Sequence, residues 1–200
     1  MQQVVFAGLG NPGKEYERTR HNLGYLVVQE FAKRHGLNFK EDKRCSAYFS
    51  KGNVEGVIVH LLLPATYMNN SGIALRKYCD YLKLKPSDFV VVVDDIALPF
   101  ATMRLRQRGT HGGHNGLRSI QLHFGTQEYA RLRMGVGRGR QEKPLAKHVL
   151  DRFTKDEADI LDEFVQKGTD VLQTLLKEPI EQVMNKINLK VQNDREEESV

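Results

Sequence analysis

A chain of 200 residues, 40% hydrophobic and 28% charged, holds enough apolar content for one core, and its longest apolar run, residues 89–93, is far short of a bilayer span. Residues 1–6 lack the basic region and cleavage site of a secretory signal, and the two cysteines, Cys45 and Cys79, exclude a disulfide framework and fit a reducing cytosol. The net charge of +5 is unevenly spread: residues 104–147 carry +8, residues 1–103 carry +3, and residues 148–200 carry −6.

Strand and helix patterns alternate from the N-terminus. Val4-Val5-Phe6-Ala7 reads as a buried first strand ending at Gly8. Leu23, Leu26, Val27 and Phe31 recur at helical spacing before Gly36, which is placed to cap that helix. Residues 56–63 form a second strand, paired with residues 47–50 and stopped by Pro64. Asn69, Asn70 and Ser71 are N-cap residues for a helix carrying Ile73, Tyr78 and Leu82. The β-branched run at 89–93 is the pattern of a central strand covered on both faces, and it ends at Asp94-Asp95.

A polar strand over 103–107, a glycine-rich turn, a helix over 117–124 and a strand over 132–136 follow. Thr154 and Glu157 stand in capping-box spacing before a long amphipathic helix through Leu176, and Pro179 restarts a short last helix. Residues 194–198 are a charge run without an apolar face, so the domain is expected to span 1–190 and residues 191–200 to form an acidic, disordered tail. No repeat or linker interrupts the pattern, which predicts a single α/β domain.

The basic segment is dominated by arginine (Arg104, Arg106, Arg108, Arg118, Arg131, Arg133, Arg138, Arg140), the side chain suited to bidentate phosphate capture, and points to a polyanion such as nucleic acid. A solvated face that only maintains solubility is the plainer reading. Gly8-Leu9-Gly10-Asn11-Pro12-Gly13 matches the dinucleotide fingerprint GxGxxG in form. The polar stretch 14–20 follows it instead of a helix, and the nearest acid at the required distance, Glu30, lies mid-helix. A rigid turn beyond the strand's carboxyl end, offering the Asn11 amide, is the better reading, and a plain Gly/Pro turn is its alternative.

His111 and His114, three apart in His111-Gly112-Gly113-His114-Asn115-Gly116, lack a third ligand nearby, so no metal is expected. The loop either lets backbone approach a ligand beside the Asn115 amide or is a flexible turn before the next helix. His21 precedes the first helix, and Asp94 stands at the carboxyl end of the most buried strand, where open α/β sheets form ligand crevices. A carboxylate on one ring nitrogen of His21 would fix the tautomer and make the other nitrogen a base for water. No GxSxG elbow accompanies them. Activated water suffices for an ester, with Asn11, Asn69 and Asn115 available to orient it and stabilise its oxyanion.

Six segments in order resemble the bacterial-type peptidyl-tRNA hydrolase family: 8–13; Tyr16 with Thr19-Arg20-His21-Asn22-Leu23-Gly24; Pro64-Ala65-Thr66-Tyr67-Met68-Asn69-Asn70-Ser71-Gly72; 94–99; 111–117; and 131–137. The resemblance implies a twisted mixed sheet flanked by helices. It also implies cofactor-free and metal-free hydrolysis of the ester joining a peptide to the 3′-terminal ribose of tRNA, by a cytoplasmic monomer that recycles peptidyl-tRNA. Carried over by residue, His21 is the base, Asp94 its orienting partner and Asn115 the holder of water or a transition-state oxygen. Asn11 and Asn69 position the peptide and the 3′ end, and Tyr16 and Tyr67 line the cleft. Arg106 and Arg133 clamp the phosphate at the tRNA 5′ end, and residues 137–143 form a flap.

Three departures stand out. Arg106 replaces a common lysine, Ala97 a commonly acidic residue, and Arg108-Gly109-Thr110 a run of serine or glycine. The first preserves the phosphate contact, and none touches His21, Asp94 or the three asparagines. A non-catalytic RNA-binding protein of the same fold is the rival reading, and a metal- or nucleotide-dependent hydrolase is a third.

Overall fold

The valine run is the middle of a sheet. The computed structural model describes residues 3–139 and 144–197. Its first half contains β1 (Gln3–Gly8), α1 (Leu23–Arg34), β2 (Lys40–Asp42), β3 (Ala47–Val54), β4 (Val57–Pro64) and α2 (Ser71–Tyr81). Its second half contains β5 (Phe89–Asp95), β6 (Met103–Arg106), α3 (Asn115–Phe124), β7 (Ala130–Gly135), α4 (Leu145–Leu150), α5 (Lys155–Lys177) and α6 (Ile180–Glu197).

The strands form one mixed sheet in the order β2-β3-β4-β1-β5-β7-β6. β4, β1, β5 and β7 are parallel, while β2, β3 and β6 are added antiparallel at the edges. Every residue of β5 is buried, as a strand covered on both faces requires. The two-residue alternation of the strands sorts their side chains into two cores. Val4, Phe6, Val90, Val92 and Leu132 pack with Phe31, Phe164 and Leu172 of α1 and α5, whereas Val5, Ala7, Val91 and Val93 pack with Leu75 and Ile120 of α2 and α3.

Local chemistry closes several helices as expected. Gly36 adopts φ +62°, and the Leu37 amide donates back to the Ala32 carbonyl at 2.8 Å, ending α1. Thr154 and Glu157 form the capping box of α5.

Other expectations are corrected. α2 starts without a side-chain cap on Asn70, because a 3-10 turn at Met68–Asn70 runs directly into it. α3 begins at Asn115 with the His114 ring as its cap. β2 and α4 are additional elements, too short to show a period in sequence. The last helix is not short: it runs over Ile180–Glu197, because Glu, Lys and Arg propagate a helix once its first turns are packed. Residues 198–200, and residues 140–143 of the expected flap, lie outside the described residues. No helix among the described residues is long and apolar enough to cross a membrane.

The parallel strands β4, β1 and β5 deliver their carboxyl ends to one edge of the sheet. α1 and α2 lie on opposite faces, so the connections part there and leave a crevice.

Candidate active site

His21 is set at this edge by its neighbours in the chain. It lies in a 3-10 turn, Arg20–Asn22, that leads straight into α1. The buried Arg20 guanidinium ties the turn down, donating to the carbonyl oxygens of His148 at 3.3 Å and Arg152 at 3.0 Å and pairing with Glu157. Asn22 closes the other side: its Oδ1 accepts from the Asn11 amide at 2.8 Å, and its Nδ2 donates to the Asn11 carbonyl at 2.9 Å. The β1–α1 loop and the histidine turn therefore move as one piece.

From this support His21 Nδ1 meets Asp94 Oδ1 at 2.9 Å, with the His21 side chain 10% and the Asp94 side chain 1% exposed. Burial alone disfavours the imidazolium, but the Asp94 charge and hydrogen bond outweigh it and raise the His21 pKa above its ordinary value. Burial likewise favours a neutral Asp94, yet the two imidazoles facing it hold its carboxyl well below the usual range. A carboxylate can only accept, so Nδ1 carries the proton and Nε2 keeps its lone pair.

The second imidazole is His114, whose Nε2 lies 3.0 Å from the same Asp94 oxygen. The His111–His114 pair considered as metal ligands is thus split, since His111 Nδ1 accepts from the Gly113 amide at 3.0 Å. His21, Asp94 and His114 do place their ligand atoms within 4.8 Å of one another, a spacing compatible with a divalent ion. Both nitrogens facing Asp94 are engaged as proton donors, so an ion would have to displace two hydrogen bonds.

Asn11 and Asn115 are next to this pair in the chain of contacts, Asn11 through Asn22 and Asn115 as the neighbour of His114. Asn11 Oδ1 accepts from the Met68 amide at 2.7 Å, which fixes the oxygen and leaves Nδ2 as the free donor. Asn69, next to Met68, and Asn115, the first residue of α3, are exposed. Gly116 brings them together: a Cβ there would lie 2.6 Å from Met68 Sδ and 2.8 Å from Leu9 Cδ1. Tyr16 and Tyr67 stand edge to face at 6.4 Å, with Tyr67 57% exposed. The Asn11–Gly13 loop also lines a pocket of about 560 Å³ with Tyr25, Leu26, Phe39 and Tyr48, which His21, Asp94 and Asn115 do not enter.

Sheet register sorts the arginines. Arg104 faces Arg133, and Arg106 faces Arg131, across β6 and β7, so all four start from one face. Arg131 is 2% exposed, donating to the carbonyls of Gly109, Thr110 and Gln127 and lying 4.2 Å from the Tyr129 ring. Of the arginines in the basic segment, Arg131 is therefore closed to a polyanion: it pins the 109–110 turn. Arg106 and Arg133 remain partly exposed, and Arg133 Nε pairs with Asp95. Alternation along β5 turns Asp94 and Asp95 to opposite faces, one to the histidines and one to the arginine.

Sequence reasoning missed the contact of His114 with Asp94 and the supporting roles of Arg20 and Asn22. The partners lie on other elements, and local spacing carries no trace of them.

A family model described as peptidyl-tRNA hydrolase matches residues 5–197. A peptidyl-tRNA hydrolase of Bacillus cereus (strain Q1) is 43% identical over 184 residues, covering 92% of this chain and 98% of the relative. One from Bacillus subtilis (strain 168) is 42% identical over 188 residues, covering 94% and 100%. The crystal structure of peptidyl-tRNA hydrolase from Acinetobacter baumannii superposes with a TM-score of 0.87 at 35% identity, covering 94% of this chain and 95% of that one. Agreement in sequence and in fold over nearly the whole length places the chain in the peptidyl-tRNA hydrolase family.

Proposed function

We propose that the reaction of this peptidyl-tRNA hydrolase runs through water activated by His21, without a metal or cofactor. The 2.9 Å contact between His21 Nδ1 and Asp94 Oδ1, buried at the carboxyl edge of the sheet, carries this reading. His21 Nε2 takes a proton from water as the oxygen attacks the ester carbonyl linking peptide to the 3′-terminal ribose. The Asn115 amide donates to the developing oxyanion, and Asn11 Nδ2 and Asn69 hold the peptide and the 3′ end. When the tetrahedral intermediate collapses, the C–O bond to ribose breaks and the imidazolium returns its proton to the leaving ribose oxygen. The products are a free peptide carboxylate and a tRNA ready for aminoacylation.

Arg106 and Arg133 supply cations for the phosphate at the tRNA 5′ end, while Tyr16 and Tyr67 wall the cleft. The working unit is a cytoplasmic monomer, which sedimentation of the purified protein tests.

The deciding assay is cleavage of an N-blocked aminoacyl-tRNA with excess chelator, alongside His21→Ala. Release of free tRNA despite chelator, with a loss of about 100-fold or more in His21→Ala, is expected. Binding of tRNA without cleavage would instead identify a non-catalytic RNA-binding protein, and loss of activity in chelator would identify a metal-dependent hydrolase.

A further inference from the structure

We propose that His114 is a positioning residue for the reaction: an imidazole locked in its neutral Nε2–H tautomer by the start of α3, donating to the Asp94 oxygen that also accepts from His21. The inference rests on His21 as the base. His114 Nδ1 accepts from the amides of Gly116 at 3.1 Å and Leu117 at 3.3 Å. A nitrogen whose lone pair takes two amide protons cannot itself carry one, so the ring proton resides on Nε2 and points at Asp94 Oδ1, 3.0 Å away. Forming the imidazolium would break both amide contacts and place a cation at the positive end of a helix.

The consequence lies in Asp94. Its side chain is 1% exposed, and Oδ2 has no hydrogen-bond partner among the described residues. The whole support of this buried charge falls on Oδ1, which two N–H groups share. Without His114 the carboxylate would rest on His21 alone and be free to turn about its last torsion. The two rings lie 4.9 Å apart, so a cationic second donor would oppose the positive charge that develops on His21 during attack. A neutral donor steadies Asp94 without that repulsion. The ionisable groups facing His21 are Asp94 from β5 and His114 from the head of α3. Arg20 turns away toward His148, Arg152 and Glu157.

His114→Asn separates capping from positioning. The asparagine Oδ1 stands near the place of Nδ1 and caps α3, but nothing on that side chain reaches Asp94. The variant is expected to melt with the wild type while kcat on N-blocked aminoacyl-tRNA falls about ten- to a hundredfold, as for losing a hydrogen bond to a charged group, with KM unchanged. The acid limb of kcat/KM is expected to move to higher pH, because Asp94 then gives its charge to His21 alone. In the wild type, ring ¹⁵N shifts are expected to report the Nε2–H tautomer of His114 at pH 7. A His114→Asn enzyme within twofold of wild-type kcat, or a His114 imidazolium at pH 7, overturns the proposal. His21→Ala in the same assay reports separately on the base, so failure of that reading is distinguishable.

Discussion

Gly24→Ala tests whether packing of α1 on the sheet sets the catalytic geometry. A Cβ at Gly24 would lie 2.3 Å from the Val92 carbonyl oxygen, 2.6 Å from the Leu9 nitrogen and 2.7 Å from the Leu9 oxygen. All three atoms are backbone, in β5 and in the segment leaving β1, so no side chain can yield. Carbon–oxygen contact needs more than 3 Å, so the head of α1 must retreat from β5 by about 1 Å. His21 lies three residues before Gly24, in the turn that leads straight into α1, and Asp94 lies two residues after Val92. The retreat therefore falls on the His21–Asp94 contact and stretches it from 2.9 Å toward 4 Å, beyond hydrogen bonding.

A displacement of that size is expected to lower kcat about 100-fold, with about 1–3 kcal/mol of overpacking lost from stability. Steady-state cleavage of N-blocked aminoacyl-tRNA at a temperature where the variant is folded, with calorimetry alongside, measures both. Gly168→Ala is the control. There the Cβ meets side chains and no backbone, the flexible end of Met134 at 2.9 Å and the Val27 Cγ2 methyl at 3.0 Å, so some stability is lost while kcat stays. A folded Gly24→Ala enzyme with wild-type kcat would refute the idea that this close approach sets the dyad.

Four further outcomes follow from the same structure. Asp94→Asn removes the charge that raises the His21 pKa and puts an NH2 donor in place of one carboxylate oxygen, so the acceptor-only group that fixes the tautomer is gone, kcat should fall by at least 100-fold and the acid limb of any residual kcat/KM should move to lower pH; an unmoved limb would assign it to another group. Buried His60, with Nδ1 2.9 Å from the Tyr78 hydroxyl, has its pKa pushed down to about 4 from 6.5, chiefly by burial. The unfolded chain then binds more protons between those values, so this site stabilises the fold above pH 6.5 and loses about 2 kcal/mol by pH 5. Urea unfolding of His60→Gln should show a flatter pH dependence, and an unchanged slope contradicts this; His21, raised by Asp94, contributes in the opposite sense in both proteins. Glu157→Gln keeps the capping box but leaves Arg20, with its side chain 5% exposed, without its anion, and should lower stability by about 3 kcal/mol. A loss below about 1 kcal/mol in chemical denaturation would mean the carbonyls of His148 and Arg152 satisfy Arg20 by themselves. Arg133→Gln should raise KM about tenfold, leave kcat alone and reduce the salt dependence of tRNA binding by about one ion; a fall in kcat at constant KM would place Arg133 in the chemistry instead.

Much of this architecture was legible in the sequence because it is local. The valine run could only be a strand covered twice, Gly36 and the Thr154–Glu157 pair marked helix ends through their own backbone chemistry, and six ordered segments carried the family likeness. Short β2 and α4 escaped because three to six residues hold no measurable period.

The site divides in the same way. Residue type alone made His21, Asp94 and the asparagines candidates, and strand alternation set Asp94 and Asp95 on opposite faces. What the tertiary structure decided is which groups meet across long stretches of chain: His21 and Asp94 are 73 residues apart, and Arg20 reaches 128 and 132 residues to its carbonyl acceptors. Arg131 and Arg133 make the point within a single strand. They share charge, face and neighbourhood, yet a turn from elsewhere closes its carbonyls over the first and leaves the second partly open to solvent. A side chain's period and charge are properties of its own segment, whereas its burial and its partners depend on where distant segments close, and that is settled only when the whole sheet has formed.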